Sequence, residues 1–328
     1  MKQIHYIILS ILAACALPAM ADSMFMQDHF SVYSLGNIGT PDGFFQATGF
    51  YGVAGAAGSV HLTSATLVPQ DDYALHVGGD LSTQYTNQFI GSLAVTGNVN
   101  FISASIYGDV YAGGNVSKSG WSALSIDGSV YAAGTVDLPD SVNVDSVHSG
   151  QPFAPVVDFQ AVSSHYLGMS TMIGGMSSTG AVTEQWGELV FTGQSGTNVI
   201  EMDQQTLRNA WGFTITAPSD ALVYINVPDA SVVLDDTTWI LEGGITKDAV
   251  LLNLANATEF SLSGTNAVNI LAPLATTQFG QGTLDGALVA GNLYGGGTVN
   301  GGIMIPEPTL LSLLVMGGLM LLGRRRQA

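Results

Sequence analysis

Short runs of Val, Ile and Leu alternate with Ser, Thr and Asn through the body of the chain, and glycine punctuates them. The tripeptide Gly-x-(Val/Ile/Leu) recurs at Gly36-Asn37-Ile38, Gly58-Ser59-Val60, Gly79-Asp80-Leu81, Gly97-Asn98-Val99, Gly114-Asn115-Val116 and Gly134-Thr135-Val136, at spacings of 22, 21, 18, 17 and 20 residues. One pair is close to a copy: IYGDVYAGGNVS from Ile106 and IDGSVYAAGTVD from Ile126 agree at seven of twelve positions, offset by 20. A second series follows, in which YINVPDAS from Tyr224 resembles LLNLANAT from Leu251 and, faintly, NILAPLAT from Asn269; GALVAGNLYGGGTV from Gly286 then returns to the first pattern. A period near 20 residues with short strands predicts a mostly β protein, a β-solenoid whose coils stack about 4.8 Å apart and bury alternate side chains. Val110, Val116, Val130 and Val136 are expected to point inward, with glycine and asparagine at corners that need positive φ. A β-sandwich with glycine-rich turns is the alternative, but its strands have no reason to repeat their sequence.

Between the two series the period changes. Phe159, Val162, Tyr166, Met169, Ile173 and Met176 fall at alternating spacings of 3 and 4, one apolar helical stripe. Asp158 is placed to cap it. The spacing predicts a long helix over about 157–174, laid along one face of the solenoid, with the stripe as core.

The two ends read differently from the body. Met1-Lys2-Gln3, an apolar run from Ile4 to Leu17 and Ala19-Met20-Ala21 form a secretory signal peptide, residues 1–21, with a signal helix and cleavage after Ala21. Leu12-Ala13-Ala14-Cys15 also reads as a lipobox, which would leave Cys15 lipidated instead. At the other end, Pro306-Glu307-Pro308 precedes an apolar helix and Arg324-Arg325-Arg326. From Thr309 to Gly323 that helix would span roughly 22 Å at about 1.5 Å per residue, short against a hydrocarbon core of about 30 Å. The arginines place its end on the cytoplasmic side. Motif, order and position resemble a PEP-CTERM sorting signal; a plain single-span anchor is the other reading. The resemblance implies a Gram-negative bacterium that makes exopolysaccharide. It also implies export by the Sec translocon, transient inner-membrane anchoring through 309–323, and processing by an exosortase that passes the body to the cell surface or matrix. Residues 22–303 are then the domain that functions, and 304–328 its address.

Composition narrows the partners. The chain has 328 residues, with 7 Lys+Arg against 25 Asp+Glu and a formal charge of −18. Between the ends only Lys118, Arg208 and Lys247 are cationic. Nucleic acid is excluded as a partner, because phosphate contacts need cations. Cys15 is the single cysteine, so disulfides cannot staple the body. Only 10% of residues are charged, and Ser, Thr, Asn and Gly supply the polar surface.

The stretches FSVYSLGNI from Phe30, GVAGAAGSVHL from Gly52, LHVGGDLS from Leu75, VYAGGNVS from Val110, YINV from Tyr224 and NILAPLATTQFGQGTLDGALVAGNL from Asn269 resemble, in this order, the choice-of-anchor A family. The resemblance implies an ice-binding-protein-like β-solenoid with a helix packed beside it and an adhesive role at the surface. It carries no catalytic residues over.

No constellation for chemistry emerges. His29, His61, His76, His148 and His165 are scattered, and no H-E-x-x-H, G-x-S-x-G or P-loop pattern occurs. Asp71-Asp72 and Asp235-Asp236 could serve glycoside hydrolysis or hold Ca²⁺, but neighbours on a strand face opposite ways. Asp137, Asp140 and Asp145 read as a solvated loop. No catalytic residue, metal site or cofactor is expected. Ice binding would need hydroxyls in register on successive coils; Thr63 and Thr66 recur as Thr83 and Thr86, one position out of step with the glycines, and the row then stops. The expected function is a non-enzymatic surface or matrix adhesin associated with exopolysaccharide; the alternatives are a polysaccharide-cleaving β-helix and an ice-binding protein. Tyr107, Tyr111, Trp121 and Tyr131 are candidates to stack on sugar rings or to serve packing, with Tyr111 and Tyr131 stacked on each other. Trp186, Trp211 and Trp239 are expected in the core.

Overall fold

The computed structural model describes residues 30–70, 72–155 and 157–301. The signal segment, with Cys15, Ala19 and Ala21, lies outside these residues, as do His29, Asp71 and the tail that carries Pro306, Glu307, Pro308, the 309–323 stretch and Arg324 to Arg326. No helix among the described residues is long and apolar enough to cross a membrane.

Apart from one antiparallel hairpin, Thr183–Gln185 with Glu188–Thr192, the strands pair parallel, most of them with a strand about one period away in sequence. One ladder runs through Ile200, Ile225, Leu252, Ile270, Leu288, Val32, Ala54, Leu75, Leu93, Val110, Val130 and Val147. A second runs through Val232, Phe260, Thr277, Leu293, Ile38, Val60, Leu81, Val99, Val116 and Val136. A third joins Leu284, Val299, Phe50, Leu67, Phe89, Ile106 and Ile126. Nearly all these side chains are buried in one core cluster, as alternation on a strand requires. Val110, Val116 and Val130 are fully buried and Val136 packs partly buried against them. The arrangement is consistent with the β-solenoid that the repeat predicts.

The coils do not stack in sequence order. The strand Leu288–Val299 lies between Asn269–Leu284 on one side and Phe30–Ser34 and Gln46–Tyr51 on the other. Among the described residues, the first strand therefore lies in the middle of the stack, and the chain coils outward from it to Val147–Ser149. A helix, α1 (Phe159–Gly174), carries it back; after the hairpin Thr183–Gln185 and Glu188–Thr192 the first ladder restarts at Gly196–Glu201. The chain then coils inward until the last described strand closes against the first. The repeat shows two series but not that they abut end to start.

α1 begins at Phe159, two residues later than the spacing suggests, because Asp158 accepts from the backbone amides of Gln160 and Ala161 and so stands outside the helix as its N-cap. Val162, Tyr166, Met169 and Ile173 pack against Tyr33, Tyr224, Leu251, Leu271 and Val289 on the outer side of the first ladder. Buried asparagines at equivalent repeat positions hold its far end. Asn226 Nδ2 donates to Ile173 O at 2.9 Å. Asn253 Nδ2 donates to Ser170 O at 3.0 Å and to Asn226 Oδ1 at 2.8 Å, while Ser170 Oγ donates to Asn253 Oδ1 at 2.6 Å. At the near end the Tyr33 hydroxyl donates to Phe159 O at 3.2 Å and meets Ser163 Oγ at 3.0 Å.

The corners correct the expected role of glycine. None of Gly36, Gly58, Gly79, Gly97, Gly114 and Gly134 has positive φ. They are glycine because the next coil leaves no room: a Cβ on Gly97 would lie 2.3 Å from Asp80 Oδ1 and 2.6 Å from Gly79 O. The middle residue of each tripeptide makes the contact. Asn292, Asn37, Asp80, Asn98 and Asn115 each present a side-chain oxygen to the backbone N–H of the equivalent residue one coil on, at 2.6 to 3.0 Å. Ser59 does the same through its hydroxyl at 3.1 Å.

Replacing Gly97 by Ala should destabilise the protein by about 3 kcal/mol, the upper range for overpacking a filled site, measured as a lower urea midpoint with an unchanged slope. Burial pushes the Tyr33 hydroxyl from 10.0 up to about 12, with the Ser163 hydrogen bond opposing and Asp158 adding. The folded state favours the protonated phenol, so this stabilisation is complete below pH 10 and is lost as pH rises through about 12. Tyr33→Phe should flatten the alkaline arm of a melting-temperature profile in that window.

Candidate functional site

The outward positions of the first ladder, beyond the end of α1, form a row of His76, Ala94, Tyr111, Tyr131 and His148. Parallel, in-register strands place equivalent side chains one coil spacing apart, which suits flat rings. Tyr111 and Tyr131 stack at 5.1 Å with 7° between planes, and Tyr131 and His148 at 4.8 Å with 6°. Ala94 leaves a gap in the row. Tyr73, from the start of the strand Tyr73–Val77, leans into it, 4.9 Å from the His76 ring and 6.2 Å from Tyr111.

Beside this row an open cleft of about 460 Å³ is lined by Asp72, Tyr73, Ile90, Ser92, Tyr107, Asp109 and Tyr111. A second hollow of about 250 Å³ shares Tyr73 and Tyr111 and is bounded by Tyr131 and by the segment Gln151 to Ala154. Two features fix the cleft. Tyr111 donates its hydroxyl to Asp109 Oδ2 at 2.9 Å, and Asp109 Oδ1 accepts from Ser129 N at 2.8 Å. Asp109 is thus tied to the next coil and to the floor of the cleft at once. Tyr107 stands at the rim with 48% of its surface exposed, and Gln88 Nε2 donates to its hydroxyl at 3.4 Å. Partial burial pushes the Tyr111 hydroxyl from 10.0 up to about 12, reinforced by the hydrogen bond and charge of Asp109, then by Tyr73 and Tyr131.

The cleft joins aromatic faces to carboxylates and hydroxyls, and no lysine or arginine lines it. Such a surface can stack apolar ring faces and accept hydrogen bonds from ligand hydroxyls. An anionic ligand would meet Asp72 and Asp109 without a counter-charge.

Three of the four residues picked from sequence, Tyr107, Tyr111 and Tyr131, come together here, and the expected Tyr111–Tyr131 stack is present. Trp121 is not among the lining residues; it is fully exposed on its own loop. Tyr73, Ser92 and Asp109 were missed, while Asp72 was picked only as half of an acidic pair and lines the cleft without Asp235 or Asp236. Asp109 had a signal, since Gly108-Asp109-Val110 is another copy of the tripeptide. The expected tryptophan core is corrected: Trp186 is 98% and Trp211 52% exposed, because both stand at the ends of strands, one in a turn. Trp239 is partly buried and stacks on Phe213 at 5.4 Å.

The remaining candidates have local roles. Asp235 accepts from Ser263 Oγ at 2.7 Å and Asp236 from Thr265 N at 2.8 Å, both ties to the next coil. Asp137, Asp140 and Asp145 are exposed. His61, His76, His148 and His165 do not gather, and among the described residues no group of three or more His, Cys, Asp or Glu is placed to hold a metal. The threonines form no array: Thr83 pairs with Leu62 rather than Thr63 and points inward, and Thr66 pairs with Gln88.

The fold and the cleft define a parallel-β protein with an open, aromatic-lined surface site. The chain belongs to the family described as "Putative Ice-binding-like adhesive domain", whose model matches residues 28–301. That membership makes the body an adhesive-type domain and suggests a surface-exposed adhesin. No match was found among curated proteins or among solved structures.

Asp109→Asn should bring the Tyr111 hydroxyl down from about 12 toward the ordinary 10.0, because the charge that disfavours the phenolate is gone. Alkaline difference absorbance checks this: one tyrosine should move to an earlier transition, and no movement would mean that Asp109 does not hold it.

Proposed function

We propose that this protein is a non-enzymatic adhesin that holds uncharged exopolysaccharide at the cell surface or in the matrix. The observation that carries the reading is the cleft itself, in which the rings of Tyr73, Tyr107 and Tyr111 stand beside Asp72, Asp109 and Ser92. Sugar rings have one apolar face and a rim of hydroxyls, and this pairing suits both. The net charge of −18 favours neutral over acidic chains. A rigid stack that displays several weak contacts gains affinity from multivalency.

The tail supports the address. Pro306-Glu307-Pro308 followed by an apolar stretch and Arg324 to Arg326 suits exosortase sorting after Sec export, with passage through the inner membrane and release to the surface of a Gram-negative cell. The signal peptide with Ala19 and Ala21 agrees with that direction. Against a polysaccharide-cleaving enzyme stands the wiring of three acidic groups: Asp235 and Asp236 accept inter-coil hydrogen bonds, and Asp109 in the cleft accepts from Tyr111 and Ser129.

Affinity electrophoresis of the protein in gels cast with neutral glucans, galactans and mannans, and with alginate as the acidic control, tests the reading. Retardation is expected in at least one neutral gel and not in alginate. Tyr107→Ala should weaken it about tenfold, as loss of one aromatic contact of about 1.4 kcal/mol implies. New reducing ends in the same samples would replace the adhesin with a hydrolase or lyase. Retardation in alginate alone would overturn the choice of neutral sugars.

A further inference from the structure

A second aromatic surface lies on the coils that restart the stack, away from the tyrosine cleft. The strands Thr183–Gln185 and Glu188–Thr192 form an antiparallel hairpin. Its two turn residues are Trp186, at φ 57°, and Gly187, at φ 81°. A two-residue turn with both φ positive is normally filled by Asn-Gly or Asp-Gly, and a bulky side chain there is strained. Packing does not compensate at Trp186, whose side chain is 98% exposed. Neither the backbone nor the core accounts for tryptophan at this position.

Trp211 stands next to it. Its backbone N–H donates to Gly187 O at 3.0 Å, and its indole Nε1 donates to Trp186 O at 3.1 Å. A Cβ on Gly187 would lie 3.2 Å from Trp211 Cδ1, so the ring lies close over the glycine. Trp211 is held at its N–H edge while 52% of it stays exposed. The outward face of the adjoining sheet carries Glu188, which accepts from the Thr214 hydroxyl, and Glu242, which accepts from the Thr216 hydroxyl at 3.2 Å. Glu188 and Thr238 flank Gly212, the residue after Trp211, while Glu242 lies four residues farther along the same sheet. The acidic groups Glu184, Glu188 and Glu242 outnumber Arg208, which argues against phosphate headgroups and acidic sugars.

We propose that Trp186 and Trp211 form a second binding platform for neutral polysaccharide, independent of the tyrosine cleft. The ligand class rests on the proposed function; the site does not overlap it. About six rungs of the first ladder separate the Ala221–Asn226 strand, in the coil of Trp211, from the Tyr73–Val77 strand at the cleft, roughly 30 Å at about 4.8 Å per rung. One molecule can therefore grip a long chain at two points or join two chains.

The test is retention of the full protein, Tyr107→Ala, Trp186→Ala and the double variant in the same set of neutral polysaccharide gels, with Trp211→Phe as a variant that keeps a ring but loses the indole N–H. Trp186 is exposed, so its replacement leaves the fold intact, checked by an unchanged melting temperature. Expected is about a tenfold loss for Trp186→Ala and for Tyr107→Ala, a smaller loss for Trp211→Phe, and abolition in the double variant. Retention unchanged by Trp186→Ala and Trp211→Phe would overturn the platform while leaving the cleft standing. A loss from Trp186→Ala with none from Tyr107→Ala would keep the platform and overturn the cleft. No retention of the parent protein in any neutral gel would overturn both. Co-sedimentation with phosphatidylcholine–phosphatidylglycerol vesicles that Trp186→Ala abolishes would assign the tryptophans to a lipid surface instead.

Discussion

The structure depends on the close approach of neighbouring coils at their glycine corners. Parallel strands sit about 4.8 Å apart, and at each corner the chain must turn without a side chain in the way. A Cβ at Gly58, Gly97, Gly114 or Gly134 would fall within 2.7 Å of the previous coil's side-chain oxygen. The residue that follows glycine accepts a hydrogen bond from the next coil's backbone, so the corner that excludes bulk also ties the coils together. Aspartate, asparagine and serine alternate in that role because all three present an oxygen at the same height. Each bond is worth about 1 kcal/mol net, but the row is continuous. It supplies what disulfides supply elsewhere, in a body without cysteine.

The same row crosses the point where the chain's two halves meet. Asn292, in the last described strand, accepts from Asn37 N at 3.0 Å, and a Cβ on Gly36 would lie 2.3 Å from Asn292 Oδ1. The junction between the first and last strands is therefore built like any other rung. The coil that starts at Phe30 completes its pairing only after some 260 residues have been made. Such sequence separation is costly in loop entropy and slow to form. α1 offsets part of that cost. It bridges the two series, packing on Tyr33 from the first and on Tyr224 and Leu251 from the second, with Asn226 and Asn253 fastening it.

Much of this was legible in the sequence, for a physical reason: identical environments select identical residues, so a stacked fold writes its period into the chain. The tripeptide gave the coils, the 3-and-4 spacing gave α1, and the shared repeat position gave the Tyr111–Tyr131 stack. The order of the coils was not legible, because Leu288 pairs with Ile270 and with Val32 by the same hydrophobic rule. The corner glycines were read for positive φ when the constraint was exclusion of Cβ; composition cannot separate the two. Tyr73 was missed because it lies outside the repeat position and reaches the cleft only through the gap at Ala94. The tryptophans were misplaced because size alone predicts burial, while Trp186 sits in a turn that turns it outward.

A stack made this way has a functional consequence. Inward positions are fixed by the core and corner positions by inter-coil bonds, which leaves the outward positions of each strand free to vary without loss of fold. Aromatic rings at those positions inherit the coil spacing, so their separation is set by the backbone and not by side-chain flexibility. Tyr111, Tyr131 and His148 show this, at 5.1 and 4.8 Å with nearly parallel planes. Stacked on each other, such rings offer their edges and hydroxyls, whereas a ring at the rim, as Tyr107 is with 48% of its surface exposed, is open to a ligand. The cleft lies beside the break, where Tyr73 enters from outside the row and stands 6.2 Å from Tyr111, farther than the 5.1 Å of the Tyr111–Tyr131 stack.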